Sequence, residues 1–183
     1  MAVTRYVAFL RAVNLAGRRV VKMEDLKKAF EALPVRNVHT FIASGNVIFD
    51  AAVRDPSALE RKAEAALEKA FGFDIDTFLR SIGELQQIAE CPPFHEIAAS
   101  GEGGTIYVGF LRAAPGADVQ RKVKAVSTAV HEFCISGREL LWLRRDVPGA
   151  RDAPVPPLDK VLGVPTTFRN VRTVKRLVEK YSA

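Results

Sequence analysis

The sequence predicts an α+β fold of antiparallel sheets with helices packed on one face. Three observations predict it. Short apolar runs rich in strand formers alternate with segments of helical apolar spacing. Residues 1–80 order these elements β-α-β-β-α-β, and residues 81–183 nearly repeat that order.

Tyr6 to Leu10 is a short run of strand formers and reads as a buried strand. A basic loop follows, from Arg11 to Lys22. Met23, Leu26, Phe30 and Leu33 recur at spacings of three and four, which is one face of a helix, and Pro34 stops it. Val38 to Ala43 and Val47 to Phe49 read as strands joined by the turn residues Ser44, Gly45 and Asn46. Asp55-Pro56-Ser57 opens a helix, with Ser57 and Glu60 at capping-box spacing and Gly72 as its stop. Ile75 to Leu79 is the next strand. This element order is the ferredoxin-like, split βαβ arrangement.

In the second part, Ser81 and Glu84 form another capping box and start a short helix that ends before Pro92-Pro93. Gly101 to Gly104 is a loop and Ile106 to Leu111 a strand. Asp118 to Phe133 reads as a helix with Val119, Val123, Val126 and Val130 on its apolar face. Phe133 to Ile135 and Glu139 to Leu143 pair around Ser136-Gly137-Arg138 as a hairpin. Pro148 to Pro157 is a proline-rich loop, and the last helix runs from Phe168 to Tyr181. The expected division is a ferredoxin-like subdomain over 1–80 and a second, with a C-terminal helix, over 81–183. The repetition is one of element order, with no clear repeat of sequence.

The chain has 183 residues, a formal net charge of +6 and 48% hydrophobic residues. That length buries roughly 70% of the unfolded surface and needs no staples. No apolar stretch reaches the length of a membrane helix, and no signal peptide is evident. Two cysteines, Cys91 and Cys134, offer no disulfide framework, so a reducing, cytoplasmic setting is expected. Cys134 reads as a buried small hydrophobe in a strand. The positive charge favours anionic partners, a small molecule or nucleic acid.

Three segments carry candidate ligand-binding residues. The first is the loop after strand one, with Arg11, Asn14, Arg18, Arg19 and Lys22 around Gly17. Ligands of α/β arrangements sit at strand carboxyl ends, and guanidinium groups there grip phosphate or carboxylate in a bidentate fashion. The second is the turn Ser44-Gly45-Asn46, where side chains bonding their own backbone are the stronger reading. The third is the C-terminal helix, with Arg169, Arg172, Arg176 and Lys180 on one stripe and Val171, Val174, Leu177 and Tyr181 on another. There is no phosphate-binding glycine loop, dinucleotide fingerprint or nucleophile elbow. Cys91 and His95 flank two prolines, which rules out a helical metal pair. No catalytic residue, metal or cofactor is assigned.

The opening Tyr6-Val7-Ala8-Phe9-Leu10-Arg11-Ala12-Val13-Asn14-Leu15-Ala16-Gly17, the hairpin Phe41 to Phe49 around Ser44-Gly45-Asn46, and the ending Leu162-Gly163 to Val171 with Thr173 and Leu177 together resemble the bacterial family labelled domain of unknown function 1697. The resemblance covers nearly the whole chain. It implies two ferredoxin-like halves and no established activity. The positions it marks are Arg11, Asn14, Gly17, Lys22, Ser44, Gly45, Asn46, Thr167, Arg169, Asn170 and Thr173. Two departures stand out. Ala12 and Ala16 replace glycines of the pattern, and Gly149-Ala150-Arg151-Asp152-Ala153 stands where a Gly-x-x-x-Ser-Lys element is expected. The expected function is a binding protein for an anionic ligand (nucleotide, phosphate or nucleic acid) that uses Arg11, Asn14, Lys22, Ser44, Asn46, Arg169, Asn170 and Thr173. The alternatives are an enzyme acting on a phosphorylated or carboxylated small molecule and a structural or assembly module. The sequence leaves the oligomeric state open.

Overall fold

The computed structural model describes residues 2–14, 20–90 and 103–182. The chain forms two compact units, 1–84 and 85–183. The first contains β1 (Thr4–Leu10), α1 (Met23–Glu31), β2 (Arg36–Thr40), β3 (Asn46–Ala51), α2 (Pro56–Phe71) and β4 (Thr77–Ser81), and α3 (Ile82–Ala89) runs on from β4. The second contains β5 (Gly104–Phe110), α4 (Ala117–Ala125), β6 (His131–Ser136), β7 (Glu139–Arg145), α5 (Leu158–Leu162), β8 (Thr167–Asn170) and α6 (Val171–Tyr181). The sheets are antiparallel, in the orders β2-β3-β1-β4 and β6-β7-β5-β8. Both are the ferredoxin-like order, so the fold class read from the sequence holds.

In the first unit, α1 brings Leu26, Ala29 and Phe30, and α2 brings Leu59, Ala63 and Leu67, onto a sheet face made by Tyr6, Ala8, Leu10, Val47, Phe49 and Leu79. In the second, Val119 and Val123 of α4 and Leu158 and Leu162 of α5 pack with Phe133, Leu140, Trp142 and Phe168. Burial of such side chains contributes roughly 1.5–3 kcal/mol each.

Several local expectations are corrected. β2 ends at Thr40 rather than Ala43, because Ile42 takes a left-handed conformation, φ 52°, that leaves the sheet. Asp55, not Ser57, caps α2, its carboxylate accepting from Ser57 N at 2.9 Å. Glu60 instead turns inward and accepts from Leu79 N at 2.8 Å, while Glu64 accepts from Thr77 N at 2.9 Å. These two glutamates, one helical turn apart, satisfy the outer backbone donors of edge strand β4. The Ser81–Glu84 capping box does form: Ser81 N donates to Glu84 and Glu84 N to Ser81 Oγ.

The helix read from Asp118 to Phe133 stops at Ala125, and His131 already belongs to a strand. The later valines give a helical spacing, but His131, Phe133 and Ile135 alternate against Arg144, Trp142 and Leu140 of β7, and the strand pairing wins. Thr167–Asn170 is a strand, so the last helix begins at Val171 and Arg169 does not share a helical stripe with Arg172 and Arg176. Cys134 is exposed, not buried. Cys91, Pro92, Pro93, His95, Gly101 and Glu102 lie outside the described residues, and the glycine loop is described only from Gly103.

The strand pairing also exposes a repeat of sequence. Tyr6-Val7-Ala8-Phe9-Leu10-Arg11-Ala12 and Tyr107-Val108-Gly109-Phe110-Leu111-Arg112-Ala113 differ at one position. They occupy equivalent places: Tyr6 opposes Phe49 and Ser81, and Tyr107 opposes Trp142 and Asn170. Val7 opposes Arg80 and Val108 opposes Arg169, and both arginines are buried. Each donates from Nη1 to the carbonyl of the residue before it, at 2.8 Å. The one difference has a steric cause. Ala8 opposes Leu79, whereas Gly109 opposes Phe168. A Cβ on Gly109 would lie 2.6 Å from Phe168 Cε1, and that ring is held edge-on against Trp142 at 5.6 Å.

Gly109→Ala is therefore expected to destabilise the protein by about 1–3 kcal/mol in denaturant unfolding. Adding Phe168→Leu, which copies the first unit, should recover part of that loss; strictly additive losses would refute the coupling. A second expectation concerns Asp50, which accepts from Arg5 Nε and Asn37 Nδ2, each at 2.8 Å. The Arg5 bond holds the Asp50 carboxyl below its usual 3.8, outweighing the burial that raises it. Its stabilising contribution is complete above that pH and is lost as pH falls through the lowered value. Asp50→Asn should flatten the acid limb of the unfolding midpoint against pH.

Candidate functional site

The carboxyl end of β1 is where loop, hairpin and neighbouring strand meet. Leu10 N donates to Gly45 O and Arg11 N to Asp76 O, both at 2.9 Å, which ties the end of β1 to the β2–β3 turn and to the start of β4. Asn14 then clamps the loop. Its Oδ1 accepts from Val21 N at 2.8 Å, and its Nδ2 donates to Val21 O at 3.1 Å and Ala43 O at 3.0 Å. The basic loop thus closes between Asn14 and Val21, and its two stems carry Arg11 and Lys22.

The backbone here is strained. Ala12, Asn14 and Ile42 have φ of 57°, 55° and 52°, and Gly45 has 71°. A β-branched residue at positive φ is an outlier, and such conformations cost of order 1–3 kcal/mol each unless the surroundings impose them. Gly45 answers a packing need as well, since a Cβ there would sit 2.4 Å from Val13 Cγ2.

Of the residues singled out in the sequence, Arg11, Asn14, Lys22, Ser44 and Asn46 are in this unit, and Asn14 brings the loop and the turn together. Arg11 Nη1 lies 3.6 Å from Asp76 Oδ2, with both side chains about one-third exposed, 34% and 31%. Lys22 is exposed. Ser44 and Asn46 bond each other, Asn46 Nδ2 donating to Ser44 Oγ at 2.9 Å and to Phe41 O at 3.0 Å, and Asn46 is fully buried. Gly17, Arg18 and Arg19 lie outside the described residues. Asp76 escapes sequence reasoning; its place directly before β4, opposite the end of β1, is a tertiary fact with no local signal.

Arg169, Asn170 and Thr173 are in the second unit. Arg169 is buried and its Nη1 donates to Thr167 Oγ1 at 3.0 Å and to Phe168 O. Burial lowers its pKa to about 10. Asn170 caps α6, its Oδ1 accepting from Arg172 N at 2.8 Å. Thr173 is half-buried in the first turn of that helix. Among the described residues no group of three or more His, Cys, Asp or Glu is arranged to hold a metal ion. No helix among them is long and apolar enough to cross a membrane.

A family model described as "Protein of unknown function (DUF1697)" matches residues 3–141. The chain belongs to the DUF1697 family. A solved structure of a conserved bacterial protein from Streptococcus pneumoniae is similar at 20% identity, with a TM-score of 0.72 over 97% of this chain and 98% of that one. At that identity the likeness speaks for the fold alone. Among curated proteins, no relative matches the chain.

The alanine at position 12 has a structural cost. The position is left-handed, which suits a glycine and strains an alanine. Ala12→Gly is expected to stabilise the protein by about 0.5–1 kcal/mol, the relief of the left-handed Cβ less the added freedom of the unfolded chain. Ala12→Val should destabilise it, and a scan of unfolding midpoints checks both signs.

Proposed function

We propose that the protein is a cytoplasmic binding protein for an anionic ligand, a phosphate or nucleotide, taken up at the carboxyl end of β1. One observation carries this reading: Arg11 and Lys22 adjoin residues that hydrogen bonds hold together at the end of β1, Leu10 and Asn14 being bonded to the β2–β3 turn and Val21 to Asn14. The Arg11–Asp76 pair, at 3.6 Å and part-exposed, is weak enough for a phosphate oxygen to compete for the guanidinium. The overall excess of positive charge, +6, favours the approach of anions. Cys134, an exposed free thiol, fits a reducing compartment.

A thermal-shift series against nucleotides, phosphorylated metabolites, carboxylates and short oligonucleotides tests the proposal. A ligand at ~100 times its dissociation constant stabilises by about 2.7 kcal/mol. The expected result is a raised midpoint for a phosphate-bearing ligand that disappears in Arg11→Ala and shrinks in Lys22→Ala. Stabilisation by oligonucleotides that falls steeply with salt would identify nucleic acid as the anion. A series in which no anion's shift falls in either variant, or in which no anion gives a shift, would overturn the reading.

A further inference from the structure

The end of β7 and the loop after it form a second concavity, within the second unit, of about 340 Å³. Three arginines line it, Arg144, Arg145 and Arg151, together with Asp146 and Pro148. Arg145 is committed to Glu132 of the neighbouring strand. Arg144 donates from Nη2 to the backbone carbonyl of Arg151, which holds the Arg151 backbone beside Arg144, and both residues line the concavity. No carboxylate among the described residues pairs with Arg144 or Arg151. Positive charge that no carboxylate pairs favours an anion in the concavity.

The wall is preorganised rather than loose. Gly149, at φ 77°, turns the loop back on itself, and Ala150 N donates to Val147 O at 3.1 Å. His131 tethers the far end. Trp142 Nε1 can only donate, and it does so to His131 Nδ1 at 3.1 Å. The ring proton therefore sits on Nε2, which donates to Ala153 O at 3.3 Å. His131 is buried and Ala153 half-buried. Arg144 itself projects from β7 opposite His131.

We propose that this concavity binds a small phosphorylated metabolite. Arg144 and Arg151 take the phosphate, and Asp146 accepts from a hydroxyl of the same molecule. Its volume is at the lower end of ligand pockets, roughly 300–1,000 Å³, which suits a sugar phosphate better than a larger nucleotide. The residues of this site all belong to the second unit, and the proposal does not rest on the one made at the end of β1.

Calorimetric titration of the full chain with ribose 5-phosphate, beside inorganic phosphate, tests it. The expected result is a site that binds ribose 5-phosphate more tightly than phosphate and whose affinity falls at least tenfold in Arg151→Ala, while any binding that Arg11→Ala removes belongs to the site at the end of β1. Arg151→Lys, which keeps the charge, should recover part of the affinity. No binding at millimolar ligand would overturn the proposal, as would equal affinity in wild type and Arg151→Ala. Binding lost in Arg11→Ala but kept in Arg151→Ala would also overturn it and would assign the ligand to the first unit. A lowered unfolding midpoint in Arg151→Ala without recovery by Arg151→Lys would trace the effect to the loop's folding and count against the site.

Discussion

β1 and β5 are the inner strands against which both neighbours in each sheet take their register, β3 and β4 in one unit and β7 and β8 in the other. A slip of one residue in either strand would turn Tyr6, Ala8 and Leu10, or their counterparts, away from the helices that cover them. The same register decides where the chain emerges. Leu10 is the last strand residue, its N–H taken by Gly45 O, and Arg11 follows at once with its N–H on Asp76 O. The place of the candidate site is thus a direct consequence of strand pairing, and the equivalent bond from Leu111 N to Arg138 O repeats the geometry in the second unit.

The edges of these sheets are closed by different chemistry. β4 uses the carboxylates of Glu60 and Glu64 from α2. β6 uses hydroxyls: Thr128 Oγ1 accepts from His131 N at 3.0 Å and Ser127 Oγ from Phe133 N at 3.1 Å. β2 exposes Arg36, Asn37 and His39, polar side chains that discourage pairing with another chain. Charge therefore serves to close backbone, and Glu60, read in the sequence as half of a capping box, has that use.

Much of the fold was legible because helix and strand periods differ. α1 and α2 announced themselves by apolar spacing, and the Ser136-Gly137-Arg138 turn by its residue types, with Gly137 at φ 58°. The misreadings fall where a local pattern competed with pairing partners distant in sequence. Val126 and Val130 continued a helical spacing past Ala125, and Phe168 with Arg169 looked like the start of α6 although they pair with Gly109 and Val108. The site was legible only in part. The residue types at Arg11, Asn14 and Lys22 stood out in sequence, but the clamp of Asn14 onto Val21 and Ala43, the approach of Asp76 and the wall shared by Arg144 and Arg151 arise from chain segments brought together by folding. The match of Tyr6–Ala12 with Tyr107–Ala113, six residues of seven, was present in the sequence throughout, and likeness at a fixed offset, rather than element order, is the signal that carries it.

The single mismatch in that repeat carries information about history. A Cβ at position 109 would meet the ring at 168 at 2.6 Å, so one of the two must give. In a lineage that begins with alanine at both equivalent strand positions, the route that places glycine at 109 before phenylalanine at 168 avoids a destabilised intermediate. With Phe168 edge-on against Trp142, reversion to alanine carries that cost, so the strand motif of one unit is not freely exchanged for that of the other.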